Sequence, residues 1–399
     1  MSEPVWIAGG GVICGIGASL PDCLEAFRRM QPGMDDVQYL HTAHRGVFPV
    51  AEVKADNAAL AARAGMPAHI SRTALLSKIA AREAWDSTGL GNIAQYRAGF
   101  VSANTVGGMD KTEDFFAAYL QDPRKGRLQQ VVHHECGSVT ELVADSMGIR
   151  HHVSTISTAC SSGANALMYG ARLIRNNIVD IVLAGGTDAL TRFTLNGFNT
   201  LMILDQQPCR PFDDTRAGLN LGEGAGYVVL VSDAVAKRLP NGPWCRLSGY
   251  ANTSDAYHQT ASSPEGTGNY LAMKGALDMS GLQPADIAYI NLHGTGTQNN
   301  DSSEAKAIER LFAPHYPVVS STKSFTGHTL GASGGIEAVF TALAAQQGII
   351  YPNARFTTPM KEWPVAPVTT FSSGNRLAHV MSNSFGFAGN CSSLVFSKE

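Results

Sequence analysis

The chain has 399 residues, of which 44% are hydrophobic and only 16% charged, with a formal net charge of −3. That length gives a prior of about two domains and ample sequence for large buried cores. The balance excludes a disordered chain and supplies no global positive field for nucleic acid.

Seven cysteines, at 14, 23, 136, 160, 209, 245 and 391, are odd in number and show no CxxC or CxxH spacing. The pattern argues for reduced thiols and against structural zinc or a disulfide framework. Met1-Ser-Glu-Pro-Val5 carries no basic segment, and no apolar run approaches the roughly 18 residues of a membrane span. A soluble cytoplasmic protein is expected. Arg124, Lys125 and Arg127 form the one small basic cluster, either a solvated loop face or a docking patch for an acidic partner.

In chain order, Val5-Trp-Ile-Ala-Gly-Gly-Gly-Val-Ile-Cys14 reads as a buried strand entering a glycine turn. Leu20 to Arg29 reads as the first helix, and residues 31 to 70 carry little periodic signal. Gly9-Gly-Gly11 is not a dinucleotide fingerprint, and no Walker motif is present. Ala84-Trp-Asp-Ser-Thr-Gly-Leu90 ends a helix and is echoed by Ala276-Leu-Asp-Met-Ser-Gly-Leu282, an offset of 192 residues. A polar spacer and an apolar strand follow each copy, Ala98 to Ala103 in one and Ile287 to Leu292 in the other. Val153-Ser-Thr echoes Val319-Ser-Ser at an offset of 166, so about 26 extra residues lie in the first half, between 104 and 150. Strand, helix and turn order repeat together, which predicts two duplicated α/β halves joined near Pro240-Asn-Gly-Pro243.

Chemistry concentrates at strand ends, where α/β folds gather active groups. Val153 to Leu167 reads as a strand, a sharp turn holding Cys160, and a helix whose Ala164, Leu167, Met168, Ala171 and Ile174 recur at helical spacing. A helix start favours thiolate over thiol, although free cysteine is as often a small buried hydrophobe. In the second half a strand delivers His293 into Gly294-Thr-Gly-Thr-Gln-Asn-Asn-Asp301, ahead of a helix around Ser302 to Phe312. A further strand ends at Thr322, followed by Lys323, by His328 beside a glycine, and by a small-residue helix carrying Glu337. Singly, each is as well explained as a satisfied core histidine or a surface charge; jointly they are what a convergent nucleophilic site requires. Met381 to Asn390 is a strand breaking into a glycine-bracketed loop, able to offer N–H groups to an oxyanion and an aromatic that can swing.

Five ordered motifs resemble the elongating β-ketoacyl synthases of the thiolase superfamily: Thr158-Ala-Cys-Ser-Ser-Gly163, Arg210-Pro-Phe-Asp213 with Leu221-Gly-Glu-Gly-Ala-Gly226, His293-Gly-Thr-Gly-Thr297 with Asp301, Lys323-Ser-Phe-Thr-Gly-His328, and Asn383-Ser-Phe-Gly-Phe387. The resemblance runs nearly end to end. It implies a thiolase-like α/β fold with two duplicated halves in an αβαβα layering, residues 1–240 bearing the nucleophile and 244–399 the histidines and gating loop. The implied reaction is decarboxylative Claisen condensation of malonyl-ACP with an acyl-ACP to a 3-oxoacyl product, in fatty acid, aryl polyene or type II polyketide elongation.

By the same resemblance Cys160 takes the acyl chain, while His293 and His328 hold the malonyl thioester oxygen. Lys323 and Glu337 support His328. The N–H groups of Cys160 and Phe387 form the oxyanion hole, with Phe387 as gate. Thr295 and Thr297 bind the phosphopantetheine arm, and Phe385 and Val106 contact substrate. No cofactor or metal of its own is implied, because the arm arrives on the acyl carrier protein. That carrier is one expected partner. The other is a second subunit, giving a homodimer or a heterodimer with a chain-length-factor-like chain; neither nucleic acid nor membrane is expected.

This chain has Ala388 where the family commonly has Gly, Asn390-Cys391 for Thr-Asn, and Gln298 for a proline. The competing reading is a chain-length-type partner that acts mainly by heterodimer interaction, but such partners usually lack the cysteine. A metalloprotein using Cys160, His293 and His328 is disfavoured by Lys323, whose charge would repel the ion.

Overall fold

The computed structural model describes residues 3–363 and 365–399. Its first elements are β1 (Val5–Cys14), α1 (Leu20–Arg28), α2 (Asn57–Ala64), α3 (Arg72–Asp86), β2 (Ala98–Ala103), α4 (Met109–Gln121), α5 (Cys136–Met147), β3 (His152–Ile156), α6 (Ser162–Arg175), β4 (Ile181–Asp188), α7 (Arg192–Thr200), β5 (Gly224–Ser232) and α8 (Asp233–Ala236). The chain then crosses Pro240–Pro243 into β6 (Cys245–Ser254), α9 (Thr267–Ser280), β7 (Tyr289–Asn291), α10 (Gln298–Phe312), β8 (Val318–Ser320), α11 (Lys323–Thr326), α12 (Ser333–Gln347), β9 (His379–Phe385) and β10 (Asn390–Ser397).

The ten strands lie in the order β3-β2-β4-β5-β1-β6-β10-β9-β7-β8, which repeats itself outward from the β1–β6 seam. In each half the outer three strands are parallel and the inner pairs antiparallel. Among the described residues only Trp6 with Arg246 and Ile7 with Cys245 pair across the seam. Beyond so few shared bonds the two five-strand faces are free to turn toward each other, and α6 and α12 fill the space between them in one apolar cluster. Ser333–Ala345 of α12 is buried on every side, as expected of a helix apolar all round. α3 and α5 cover the outer face of one half in a second cluster, and α9 and α10 that of the other in a third. Five layers, αβαβα, result. Among the described residues no helix is long and apolar enough to cross a membrane.

The duplication offset is explained by α4 and the segment that follows it, which have no counterpart between β7 and β8. Two readings are corrected. Gly9–Gly11 is not a turn but lies inside β1, because α3 rests directly on the strand: a Cβ on Gly11 would stand 2.3 Å from the Ala80 carbonyl oxygen. α2 occupies part of the stretch without periodic signal, an eight-residue helix capped by Asp56 and closed by left-handed Gly65.

The central helices meet through glycine. A Cβ on Gly163 would fall 2.3 Å from the Gly335 nitrogen, and one on Gly335 would fall 2.5 Å from the Gly226 oxygen. Gly335→Ala is therefore expected to destabilise by about 1–3 kcal/mol through overpacking and to lower the calorimetric Tm by several degrees. An unchanged Tm would mean that the layer has slack.

Candidate active site

Cys160 sits on the turn between β3 and α6, two residues before the helix begins. Ala159 is held at φ 52°, and the turn is tied by Ser161 Oγ donating to the Thr158 oxygen and by Ser162 Oγ accepting from the Thr158 nitrogen. The sulfur is reached by the N–H groups of Phe387 and of Cys160 itself. Those donors and the Lys323 charge draw the thiol pKa down, but burial outweighs them and pushes it up to about 11. The expectation that the helix start leaves a thiolate is thus reversed, since Cys160 is only 5% exposed.

His293 leaves β7 with its main chain collected by one carboxylate. Glu304 on α10 accepts from the nitrogens of His293 and Gly294, both at 2.9 Å, and from Asn383 Nδ2 at 3.1 Å. Burial pushes Glu304 up to about 7. Asp301 gathers the nitrogens of Thr295, Gly296 and Phe212 in the same way. Sequence reading missed Glu304; its signal was an acid three residues after Asp301, on one face of a helix with buried apolar neighbours.

β8 ends at Ser320 rather than Thr322, because Ser321 turns away to donate its hydroxyl to the Gly294 oxygen. Lys323 opens the one-turn α11, and its Nζ stands 3.2 Å from His293 Nδ1 and 2.5 Å from Glu337 Oε1. The implied support of His328 by Lys323 and Glu337 is corrected accordingly: the pair serves His293. His328 Nδ1 is instead occupied by the Leu330 N–H at 3.0 Å and by Ser333 Oγ at 3.2 Å. A lysine ammonium and a backbone amide can only donate, so both Nδ1 atoms are acceptors and both protons sit on Nε2. The rings meet edge to face, centroids 5.5 Å apart. Burial first, then the Lys323 charge, holds both imidazoles well below 6.5, so they are neutral.

One cavity of about 200 Å³ gathers Cys160, His293, His328, Thr295, Thr297, Phe385 and Phe387, with Phe198, Leu201, Ile203 and Leu219 on its apolar side. Thr295 and Thr297 hydroxyls lie 3.0 Å apart, and Phe387 stacks on Phe198 at 5.7 Å. Val106 does not line this cavity: it is buried in an apolar cluster with Leu195, Leu219 and Leu330. Ala388 has φ 60°, a left-handed conformation that explains the family's glycine. Gln298 is the first residue of α10 beneath the Thr297 cap, where a proline also fits. The basic cluster lies in the segment after α4, with the Arg124 guanidinium on Asp122 at 3.1 Å. Among the described residues no group of three His, Cys, Asp or Glu is arranged to hold a metal ion.

The ishigamide ketosynthase/chain length factor structure superposes at TM-score 0.93 with 28% identity over the whole of both chains. A ketosynthase in complex with its chain length factor from Xenorhabdus doucetiae does so at 0.85, with 29% identity over 100% of this chain and 98% of that one. The fold is thiolase-like. Profiles of the β-ketoacyl synthase N-terminal and C-terminal domains match residues 12–236 and 244–357, and the chain belongs to that family of acyltransferase-type condensing enzymes. It is 33% identical to the 3-oxoacyl-[acyl-carrier-protein] synthase 2 of Staphylococcus aureus over 410 residues, covering 100% of this chain and 99% of the relative.

Neutral buried imidazoles have a thermodynamic signature. Unfolding releases them to protonate near their ordinary value, so the stability they contribute is full above about pH 6.5 and is lost as pH falls below it. Between about pH 7.5 and about pH 5.5, a His293→Gln/His328→Gln double variant should lose less stability than the wild type in denaturant titrations. The comparison cancels the buried carboxylates, whose raised values act with opposite sign. Equal losses would mean that the imidazoles are not held neutral.

Proposed function

We propose that this chain is a 3-oxoacyl-[acyl-carrier-protein] synthase that condenses malonyl-ACP with an acyl chain held on Cys160. The observation that carries the reading is the pair of Nε2–H donors, each fixed by a donor on its own Nδ1, lining the same cavity as the cysteine.

Cys160 sulfur attacks the acyl thioester, and the oxyanion is met by the N–H groups of Cys160 and Phe387. The cysteine proton leaves with the phosphopantetheine thiol. Malonyl-ACP follows, its arm passing Thr295 and Thr297, with Phe385 beside the reacting end. Its terminal C–C bond breaks, carbon dioxide departs, and the electron pair becomes an enolate whose oxygen takes the two Nε2–H bonds. Neutral donors suit this step: they stabilise the enolate oxygen without protonating the carbon that must attack. That carbon attacks the acyl carbonyl, and the cysteine sulfur is expelled and reprotonated from water. Lys323 and Glu337 act by holding His293. The chemistry asks for no resident cofactor or metal, and Phe387 on Phe198 serves as the gate between the two loadings.

The palindromic strand order supports dividing the chain into a nucleophile half, 1–240, and a histidine half, 244–399. Free thiols at every described cysteine support a cytoplasmic setting. The acyl carrier protein is one partner. A second ketosynthase-fold subunit, a copy of this chain or a chain-length-factor-like one, is the other, as in the solved relatives. The insertion supports it by exposing Phe116, Tyr119, Leu120, Leu128 and Val132, and β3, at the end of the sheet, exposes Val153. A non-catalytic partner role is not favoured, because the whole nucleophilic set is present.

Cys160→Ala should show no acyl adduct by intact mass and no condensation. His328→Ala should lose malonyl decarboxylation by about 10²-fold or more while Cys160 is still acylated; decarboxylation at the wild-type rate would refute the role of the donor pair. Leu120→Asp with Val132→Asp should shift native mass spectra from dimer to monomer, whereas a wild type already monomeric alone and with a chain-length-factor-like chain would remove the second-subunit reading.

A further inference from the structure

Asp188, the last residue of β4, is fully buried and has no place in the steps above. Its carboxylate collects four donors from two loops. Oδ1 accepts from the nitrogens of Thr105 and Val106 at 2.8 and 3.1 Å. Oδ2 accepts from Thr105 Oγ1 and from the Gly331 nitrogen, both at 2.7 Å. Gly331 is two residues beyond the threonine that follows His328, and it leaves room for this contact: a Cβ there would meet Asp188 Oδ2 at 2.8 Å. Between His328 and Gly331 stands Leu330, at φ 54°, a left-handed conformation that is strained for a residue bearing a β-carbon. The side chain of Leu330 is buried against Val106 and Leu195, and its N–H is the donor on His328 Nδ1.

The tautomer of His328 depends on that donor. Ser333 Oγ lies 3.2 Å from the same nitrogen, but a hydroxyl that also engages Thr329 Oγ1 can accept as readily as donate and does not select a tautomer. An amide N–H can only donate. Burial raises the Asp188 carboxyl and its four donors offset part of that rise, leaving it at about 6, so that at neutral pH both oxygens are free to accept.

We propose that Asp188 is the positioning residue for His328: by accepting the Gly331 N–H it holds Leu330 left-handed, so that the Leu330 N–H reaches His328 Nδ1 and keeps the proton on Nε2. The inference rests on the enolate-holding role of His328 given above. Through Thr105 and Val106 the same carboxylate ties the loop after β2 to the histidine loop.

Asp188→Asn separates this role from general packing. The amide keeps one acceptor for Thr105 and Val106 N–H, and Thr105 Oγ1 can turn to accept from the new NH₂, so that only the Gly331 N–H is stranded. The expected result is malonyl decarboxylation lowered about tenfold or more in kcat, with Cys160 acylation and KM within about twofold. Gly331→Ala disturbs the same contact from the other side and should give the same split, while Thr105→Val, which removes only a hydroxyl, should leave both rates near wild type. In ¹⁵N-histidine spectra of the wild type, His328 should appear as the Nε2–H tautomer, and as a mixture in Asp188→Asn. A wild-type Nδ1–H tautomer, unchanged decarboxylation in both variants, or acylation falling in parallel with decarboxylation would overturn the proposal. His328→Ala run alongside distinguishes the failures: if it too retains decarboxylation the donor-pair reading is wrong, and if it alone loses it only the role of Asp188 is.

Discussion

Everything in the site depends on how closely two helices cross between the half-sheets. α6 and α12 approach backbone to backbone because Gly163, Gly334 and Gly335 stand at the crossing, and Gly335 also lies on Gly186 and Gly226 of the strands. A single β-carbon at any of these contacts would part the layers. The same approach sets Cys160 at the start of one helix and His328 just ahead of the other, so a packing requirement and a chemical one are met by the same glycines. Two half-sheets joined, among the described residues, by only two paired residues on each side of the seam could otherwise take many relative poses.

Burial at that crossing governs the electrostatics. The site keeps one cation, Lys323, against Glu337, and places neutral rings around it. Carboxylates nearby are used as collectors of main-chain N–H groups: Glu304 for His293 and Gly294, Asp301 for Thr295 and Gly296, Asp188 for the loops after β2 and after His328. Desolvating each is costly, and accepting several amide donors offsets much of that cost. In return the loops carrying the reactive groups have few alternatives. A thiol held near 11 and two uncharged imidazoles are consequences of one dry environment.

The loop after β9 follows a different logic. Phe387 has a stacking partner in Phe198, and the next residue, Ala388, bears a β-carbon in a left-handed conformation while its N–H donates to the Gln259 oxygen at 2.7 Å. Asn390 closes the loop through its oxygen to Gly386 and, through Oδ1, accepts from Ser161, Asn165 and Asn252. The departures from the family's usual glycine and threonine are thus accommodated, the first at some backbone strain and the second by added polar contacts.

Alternation, helical spacing and the internal echoes were enough to read an α/β duplication, the strand that leads to Cys160, and the histidines at strand ends, because those signals are local or repeat along the chain. The insertion was counted from the offsets alone. Hidden from the sequence was everything set by contacts between distant segments: that Gly9–Gly11 runs through a strand under α3, that Lys323 turns to His293 and leaves His328 to Leu330, that Val106 packs in a core cluster and does not line the cavity, and that Glu304 and Asp188 gather main-chain amides. A helix start by itself suggests a thiolate; only the assembled layers decide how little water reaches the sulfur. Residue type and spacing determined which groups are available for chemistry, whereas their partners, tautomers and protonation were decided by packing, since each depends on a dielectric and a donor set that no single segment supplies.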